Sequence, residues 1–176
     1  MAGSVRAELP TQVHLVVGPV GSGKSTLVRR LAEEHGAVRL VLDEWMAALF
    51  GADERPVEGR IPWYVERTER CLGLIWRITE QLLGVGTPVV LEVGLIQREA
   101  RARFYARLDE QAYEHVVYVV DAAREVRRAR VMQRNQERGE TFSMEVPLEF
   151  FELASDLWQP PDEVERLDRH VRFIQT

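Results

Sequence analysis

Cysteine is nearly absent from this sequence of 176 residues, because Cys71 is the only one. A single cysteine excludes an intramolecular disulfide, and the four histidines are scattered without the spacing of metal ligands. No uninterrupted run of about 18 apolar residues occurs, and residues 1–10 lack the apolar stretch of a signal peptide. These absences predict a cytoplasmic protein that does not associate with a membrane.

Positive charge is also scarce. The chain has 23 lysine and arginine residues against 28 aspartate and glutamate residues, which gives a net charge of -5. An acidic chain opposes strong binding to DNA, RNA or an anionic membrane unless its basic residues cluster locally. One such cluster follows residue 122.

The chain lacks internal repeats, low-complexity tracts and a linker rich in proline, glycine and serine. With 45% hydrophobic residues, it is long enough to bury one core. We therefore expect a single domain over residues 1–176. Its one irregular stretch runs from Gly51 to Pro62.

Short apolar runs alternate with segments of helical length. Strands that are buried between helices read as continuous apolar runs, which is typical of a parallel sheet covered on both faces. The sequence therefore predicts an α/β fold with three layers and a five-stranded parallel sheet. The predicted strands are Val13–Val17, Val38–Leu42, Pro88–Val93, His115–Val120 and His170–Ile174. The predicted helices are Lys24–His35, Asp43–Phe50, Trp63–Leu83, Gln97–Glu110, Ala122–Arg138 and Pro147–Trp158.

The strongest motif is a glycine-rich loop between the first predicted strand and the first predicted helix. Its pattern, G-x-x-x-x-G-K-[ST], lets backbone N–H groups surround phosphates at a helix N-terminus. Lys24 would reach the β and γ phosphates of ATP, and the Ser25 hydroxyl would bind Mg²⁺. An ordinary glycine-rich turn would not explain the Lys-Ser pair. The predicted ATP-binding residues of this segment are Gly18, Pro19, Val20, Gly21, Ser22, Gly23, Lys24, Ser25 and Thr26.

Three acidic residues end predicted strands. Parallel strands end at one edge of the sheet, where ligands bind in open α/β folds. There Asp43 could act as a base on an acceptor hydroxyl, and it could also cap the helix that follows. Glu92 could bind Mg²⁺ through water or hold substrate hydroxyls, and an ordinary strand-end carboxylate is equally compatible. Asp121 comes directly before a helix, which favours capping.

The predicted helix after residue 122 is rich in arginine. At about 100° per residue, its side chains divide into two opposite stripes. We expect the apolar stripe to pack and the arginine stripe to offer guanidinium groups to phosphate oxygens. A solvated helix face is the alternative. The arginine stripe consists of Arg127, Arg130, Arg134 and Arg138, and the apolar stripe of Val126, Ala129 and Met132.

The phosphate loop, Asp43 and the segment 130–139 followed by Pro147 resemble the P-loop kinases that include polynucleotide kinase, chloramphenicol phosphotransferase and zeta toxin. The similarity extends over residues 13–158. Members of this group phosphorylate hydroxyls with ATP and Mg²⁺.

The resemblance implies roles for individual residues. Lys24 and Ser25 match the nucleotide loop, Asp43 matches the aspartate that acts as the base, and Arg134 matches a lid arginine that contacts phosphate. The resemblance therefore implies catalytic roles for Lys24, Asp43 and Arg134. Arg130 and Arg138 match further phosphate contacts in a lid over about residues 122–147. Glu92-Val93-Gly94 departs from the Asp-Thr-Asn type sequence of polynucleotide kinase, which disfavours nucleic-acid contacts at that edge.

We therefore expect an ATP-dependent phosphotransferase whose acceptor is a small-molecule hydroxyl rather than a nucleic acid. Two alternatives are a nucleotide-binding ATPase or toxin-like regulator that acts through a partner, and a polynucleotide 5′-hydroxyl kinase. Trp45, Trp63 and Tyr64 flank the irregular stretch and could line the acceptor site or belong to the core.

Overall fold

The fold is an open α/β sheet whose strands all run in the same direction. A computed structural model describes residues 12–56, 58–139 and 145–176. Its strands lie in the order β2-β3-β1-β4-β5, and every neighbouring pair is parallel. This confirms the predicted α/β class and the five-stranded parallel sheet. The strands are β1 (Val13–Val17), β2 (Val38–Val41), β3 (Val89–Glu92), β4 (His115–Asp121) and β5 (Val171–Gln175).

Helices connect the strands. Within the described residues, none of these helices is long and apolar enough to cross a membrane. Most of them coincide with a predicted helix to within three residues. The helices are α1 (Lys24–His35), α2 (Leu42–Phe50), α3 (Arg60–Gly84), α4 (Arg98–Glu110), α5 (Arg124–Glu137), α6 (Leu148–Asp156) and α7 (Glu163–Asp168).

The two faces of the sheet bury separate apolar clusters. In β1, Val13, Leu15 and Val17 pack into a core that includes side chains of α2, α3 and α4. Val16 points to the opposite face and packs with side chains of α1. Successive side chains of a strand point to opposite faces, so a strand covered on both sides needs apolar residues almost throughout. This arrangement confirms the predicted three layers.

Two features of the fold differ from the predictions. Helix α3 begins at Arg60, so the irregular stretch ends earlier than Pro62. Pro62 is tolerated there because the first N–H groups of a helix have no partner within the helix. Helix α7 was not predicted, although Asp162 caps it by accepting a hydrogen bond from the Glu165 N–H.

Helix α7 supports the turn that follows β3. Arg101 is fully buried in α4, and its Nε and Nη2 donate to the two carboxylate oxygens of Glu165 at 2.7 and 2.8 Å. Its Nη1 donates to the carbonyls of Leu95 and Ile96, both at 3.3 Å. A bidentate pair of this kind holds both partners in a fixed orientation. Because Glu165 fixes the Arg101 guanidinium, the bonds from Arg101 to Leu95 and Ile96 fix the segment shortly after Glu92.

A buried histidine lies in β1, away from the carboxyl edge. His14 Nδ1 is 3.2 Å from the Tyr118 hydroxyl, and its ring stacks on His35 with 4.1 Å between centroids. Its Nε2 is buried without a hydrogen-bond partner in the described part of the chain. Burial, together with the nearby charges of His35 and Arg172, lowers the pKa of His14 to about 4.

Acid is therefore expected to destabilise the fold through His14. Its pKa in the folded chain lies below the ordinary value of 6.5, so the unfolded chain takes up the proton more readily. The stabilisation is complete above pH 6.5 and is lost as the pH falls towards 4. One pKa unit corresponds to about 1.4 kcal/mol, so the loss amounts to about 3 kcal/mol.

Urea unfolding of the His14→Gln variant between pH 7 and pH 4 tests this expectation. The free energy of unfolding should depend less on pH in that variant than in the wild type. His170→Gln, at an exposed position, should keep the wild-type pH dependence. Equal slopes for the wild type and His14→Gln would contradict the role of His14.

Candidate active site

The glycine-rich loop joins β1 to α1 at the carboxyl edge of the sheet, and two of its glycines are in close contact with neighbouring backbone. A Cβ atom at Gly18 would lie 2.1 Å from the Val120 carbonyl oxygen. A Cβ atom at Gly21 would lie 2.6 Å from the Arg127 carbonyl oxygen. Both distances are too short for any side chain, so only glycine allows the loop to pack against β4 and α5.

Lys24 lies at the start of α1 and is the only lysine of the sequence. Its Nζ donates to the Pro19 carbonyl at 2.9 Å and lies 3.6 Å from Glu92 Oε1. Pro19 belongs to the loop, and Glu92 ends the neighbouring strand β3. The ammonium group of Lys24 therefore points into the loop. The structure therefore brings Lys24 and the end of β3 together, as expected if the two strands end side by side.

Glu92 ends β3 and is buried. Burial raises the pKa of Glu92, the Lys24 ammonium opposes this shift, and the charges of Asp43 and Glu44 add to it. Its Oε2 is buried and has no hydrogen-bond partner among the described residues. A buried carboxylate oxygen without a partner is costly, so this atom is suited to bind a cation or a hydroxyl.

The oxygen atoms at this edge suit Mg²⁺. Mg²⁺ prefers carboxylate, hydroxyl and water oxygens and keeps several water ligands. Ser25, which is half-buried and follows Lys24 in the chain, supplies a hydroxyl oxygen, and Glu92 supplies the orphan Oε2. The residues present therefore fit the ion that the loop motif implies.

Asp43 is the second residue of α2, and Val41 occupies the N-cap position. The alternative that Asp43 caps this helix is therefore wrong. The residue is exposed, and within the described chain its carboxylate makes no hydrogen bond or ion pair. Its charge raises the pKa of both Glu92 and Tyr64. Asp43 thus lies near both groups, and no partner among the described residues holds its carboxylate.

The aromatic residues around the irregular stretch are divided between the core and its rim. Trp45 and Tyr64 pack partly against the larger core, and Trp63 carries the Arg67 guanidinium 4.0 Å above its ring. Burial raises the pKa of Tyr64 to about 12. The Tyr64 ring meets Phe150 of α6 edge to face, with 6.3 Å between centroids. Helices α3 and α6 therefore meet near Asp43.

The arginine-rich helix packs on the face opposite to the predicted one. Arg127 is 5% exposed and Val131 is buried, whereas Val126 is 41% exposed and Ala129 is exposed. Met132 is only partly buried. The expectation that the stripe of Val126, Ala129 and Met132 packs is therefore wrong. Arg127 can be buried because backbone carbonyl groups accept hydrogen bonds from its guanidinium inside the protein.

The other members of the arginine stripe have different surroundings. Arg130 Nη1 donates to Thr176 Oγ1 at 2.8 Å, and that hydroxyl donates to the Ser22 carbonyl of the loop at 2.9 Å. Arg138 pairs with Glu145 at 3.4 Å. Arg134 has a buried Nε without a hydrogen-bond partner in the part of the chain that the structure describes. Arg134 is therefore the stripe member best prepared to bind an added anion.

Arg124 and Arg128, outside the stripe, form ion pairs with helix α6. Arg124 binds Glu152 and Asp156, and Arg128 binds Glu152. The sequence showed few acids within α5 itself, but it could not show that α6 supplies them. These two arginines therefore fasten α6 to α5.

Asn135 has a structural role that was not predicted from the sequence, and Asp121 has a role that differs from the predicted one. Asn135 accepts from the Val146 N–H at 3.1 Å and donates to the Val146 carbonyl at 2.8 Å, which closes the base of the predicted lid. Residues 140–144 of that lid, and residues 1–11 and 57 of the predicted domain, lie outside the described residues.

Asp121, expected to cap α5, instead accepts from the Ala122 N–H at 2.7 Å and from Trp158 Nε1 at 3.3 Å. Ala123 takes the N-cap position.

The sheet order and the phosphate loop together define a P-loop kinase fold. A sequence profile described as an AAA domain matches residues 13–161, and the chain belongs to this family. The predicted resemblance to this group of P-loop proteins is thereby confirmed. No curated protein matches the sequence significantly.

Several solved structures share the fold. A candidate kinase from Chloroflexus aurantiacus J-10-fl aligns with a TM-score of 0.73 and 15% identity over 94% of this chain and 85% of its own. Kti12 from Chaetomium thermophilum in complex with ADP-AlF3 aligns at 0.67 and 17% identity, over 93% and 88%. A sugar kinase from Janibacter sp. HTCC2649 aligns at 0.56 and 18% identity, over 94% and 86%. At these identities the similarity concerns the fold.

Proposed function

We propose that the protein is an ATP-dependent phosphotransferase that transfers the γ-phosphoryl group to a hydroxyl of a small molecule. The observation that carries this proposal is the carboxylate of Asp43, which has no hydrogen bond or ion pair in the described part of the chain and lies at the edge that also holds Lys24 and Glu92. A protein that only binds nucleotide has no evident need for a free base there. The family and the similarity to a sugar kinase agree with this reading.

In the proposed reaction, the acceptor hydroxyl oxygen attacks the γ-phosphorus of ATP. A new P–O bond forms, the bond from the γ-phosphorus to the β,γ-bridging oxygen breaks, and ADP leaves. Asp43 takes the hydroxyl proton. Lys24 exchanges Pro19 and Glu92 for oxygens of the β and γ phosphates, where it offsets the developing charge.

Ser25 and Glu92 would hold Mg²⁺, directly or through water, and the ion neutralises charge on the phosphate oxygens. Once Lys24 turns to the phosphates, Glu92 loses its cation. Its buried Oε2 then favours binding of a cation or a substrate hydroxyl still more strongly.

Arg134, whose buried Nε has no hydrogen-bond partner among the described residues, is expected to act on the migrating phosphoryl group. Arg134→Ala should lower the rate of transfer by roughly 10²-fold and weaken ATP binding much less, because the charge it stabilises develops in the transition state. Arg128→Ala is the matched control on the same helix. Its guanidinium is occupied by Glu152, so transfer should change little. Equal losses in the two variants, measured by kinetics and calorimetry, would contradict the role of Arg134.

The acceptor is expected to be a small molecule. The net charge of -5 and the acidic pair Asp43 and Glu92 at this edge would repel a phosphodiester backbone. Tyr64 and the 47% exposed Phe150 offer aromatic surface beside Asp43. These two rings would line the acceptor site.

Incubation with γ-labelled ATP and fractionated metabolites tests the proposed function, with a 5′-hydroxyl oligonucleotide as the competing acceptor. Label should move to a small hydroxyl compound in the wild type and not in Asp43→Asn. Transfer to the oligonucleotide, with binding that weakens steeply with salt, would indicate a polynucleotide kinase instead.

The second candidate is a nucleotide-binding protein that acts through a partner. The similarity to Kti12, solved with ADP-AlF3, supports the nucleotide-binding part of this alternative. Under this alternative, ATP hydrolysis would be slow and would not rise with any metabolite fraction.

A further inference from the structure

Two neighbouring carbonyl groups of the phosphate loop are each held by a cation. Lys24 Nζ donates to the Pro19 carbonyl at 2.9 Å, and Arg127 Nη1 donates to the Val20 carbonyl at 3.1 Å. ATP phosphates would draw Lys24 away from Pro19. Arg127 would keep its hydrogen bond to the adjacent Val20 carbonyl.

The same Arg127 nitrogen also holds helix α6. Nη1 donates to Ser155 Oγ at 3.1 Å, and Nε donates to the Ala122 carbonyl at 3.0 Å. The side chain is buried, so any acceptor it loses is not replaced by water, and breaking a contact is costly. Its nearest carboxylate is Asp121, at 3.8 Å. The guanidinium is therefore a fixed bridge between the loop and α6.

Helix α6 reaches from this bridge to the acceptor side of the site. Ser155 and Phe150 belong to this one helix, and Phe150 meets Tyr64 beside Asp43. A small apolar cluster reinforces the connection, because Val20 of the loop packs with Val131, Val146 and Phe151. The ion pairs that Arg124 and Arg128 form with Glu152 also link α5 to α6, but they are partly exposed, and none of them contacts the phosphate loop.

We propose that Arg127 is a positioning residue that couples occupation of the phosphate loop to the ordering of α6, and thereby to the wall of the acceptor site. The proposal rests on the proposed function in one respect, namely that the loop binds ATP. Coupling of this kind is reciprocal, so a rigid α6 also favours the bound form of the loop. Arg127 itself need not touch ATP.

Amide hydrogen exchange of the full chain, with and without Mg-ATP, tests the coupling. In the wild type, ATP should slow exchange in α6 by roughly fivefold, at the low end of the range for coupled sites. Ser155→Ala removes only the α6 end of the bridge. It should bind ATP about as tightly as the wild type, within roughly twofold, yet lose most of the protection of α6.

Two further variants separate coupling from a merely structural effect. Arg127→Met should lose the protection of α6 and also weaken ATP binding, because the Val20 carbonyl loses its donor. Arg128→Ala removes an ion pair to α6 but no contact with the loop, so the ATP-dependent protection should remain.

The outcomes distinguish this inference from the proposed function. Wild-type protection of α6 that persists in Ser155→Ala, or that is absent although ATP binds, would overturn the coupling and leave the kinase proposal intact. Failure of the wild type to bind ATP would overturn both.

Discussion

Lys24→Ala is expected to abolish ATP turnover almost completely while the chain remains folded. Lys24 is the only lysine in the sequence, and its ammonium group points into the phosphate loop. Its removal takes away the main positive charge for the β and γ phosphates. The fold should tolerate the change because Glu92, left without its cation, can become protonated: burial already raises its pKa.

Turnover assays, calorimetry of ATP binding and circular dichroism together measure this result. Arg30→Ala is the matched control, because it removes a cation from the exposed side of the same helix, where Arg30 pairs with Glu34. It should behave as the wild type. A folded Lys24→Ala variant with normal turnover would rule out this loop as the phosphate site.

Asp43→Asn is expected to separate binding from chemistry. ATP should bind with nearly unchanged affinity, because Asp43 lies at the end of β2 rather than in the phosphate loop. Phosphoryl transfer should fall by roughly 10²-fold or more, as expected for the loss of a positioned base. The asparagine keeps the size of the side chain but cannot take up the proton.

Glu44→Gln provides the comparison for Asp43→Asn. This neighbouring carboxylate pairs with Arg39, and the same isosteric change there should leave transfer close to normal. If Asp43→Asn lowered binding and transfer together, or if it left transfer intact, Asp43 would not be the base.

Much of the fold was accessible from the sequence because buried parallel strands leave a clear signature. The runs Val13–Val17 and His115–Asp121 are almost entirely apolar, and both form central strands. The side-by-side ends of parallel strands also explain why Lys24, Asp43 and Glu92 could be assigned to one edge without coordinates. The chemical roles of these residues remain predictions.

The packing of α5 could not be predicted in the same way. Helical periodicity shows which residues share a face, but it does not show which face is buried. Arg127 is buried because the backbone carbonyls of Val20, in the loop, and Ala122, directly after β4, accept its hydrogen bonds. Val20 is distant in sequence, and no sequence motif identifies Ala122 as an acceptor. Likewise, the Glu152 that neutralises Arg124 and Arg128 lies on another helix.

Helix α7 was missed for a different reason. It has only six residues, too few for an apolar periodicity to emerge. The signal that could have revealed it is Asp162 after two prolines, a typical helix start. Its contact through Glu165 with the buried Arg101 depends on tertiary structure alone.

If Lys24 binds the phosphates of ATP, bound ATP should protect this lysine from an amine-reactive acylating reagent. Because the sequence contains no other lysine, modification of the peptide around residue 24 can be followed by mass spectrometry without interference from other side-chain amines. With Mg-ATP at ten times its dissociation constant, the rate should fall by about elevenfold, the factor expected from simple occupancy. Adenosine, which lacks phosphates, should give no protection. An unchanged rate of acylation at saturating Mg-ATP would show that Lys24 does not contact the phosphates.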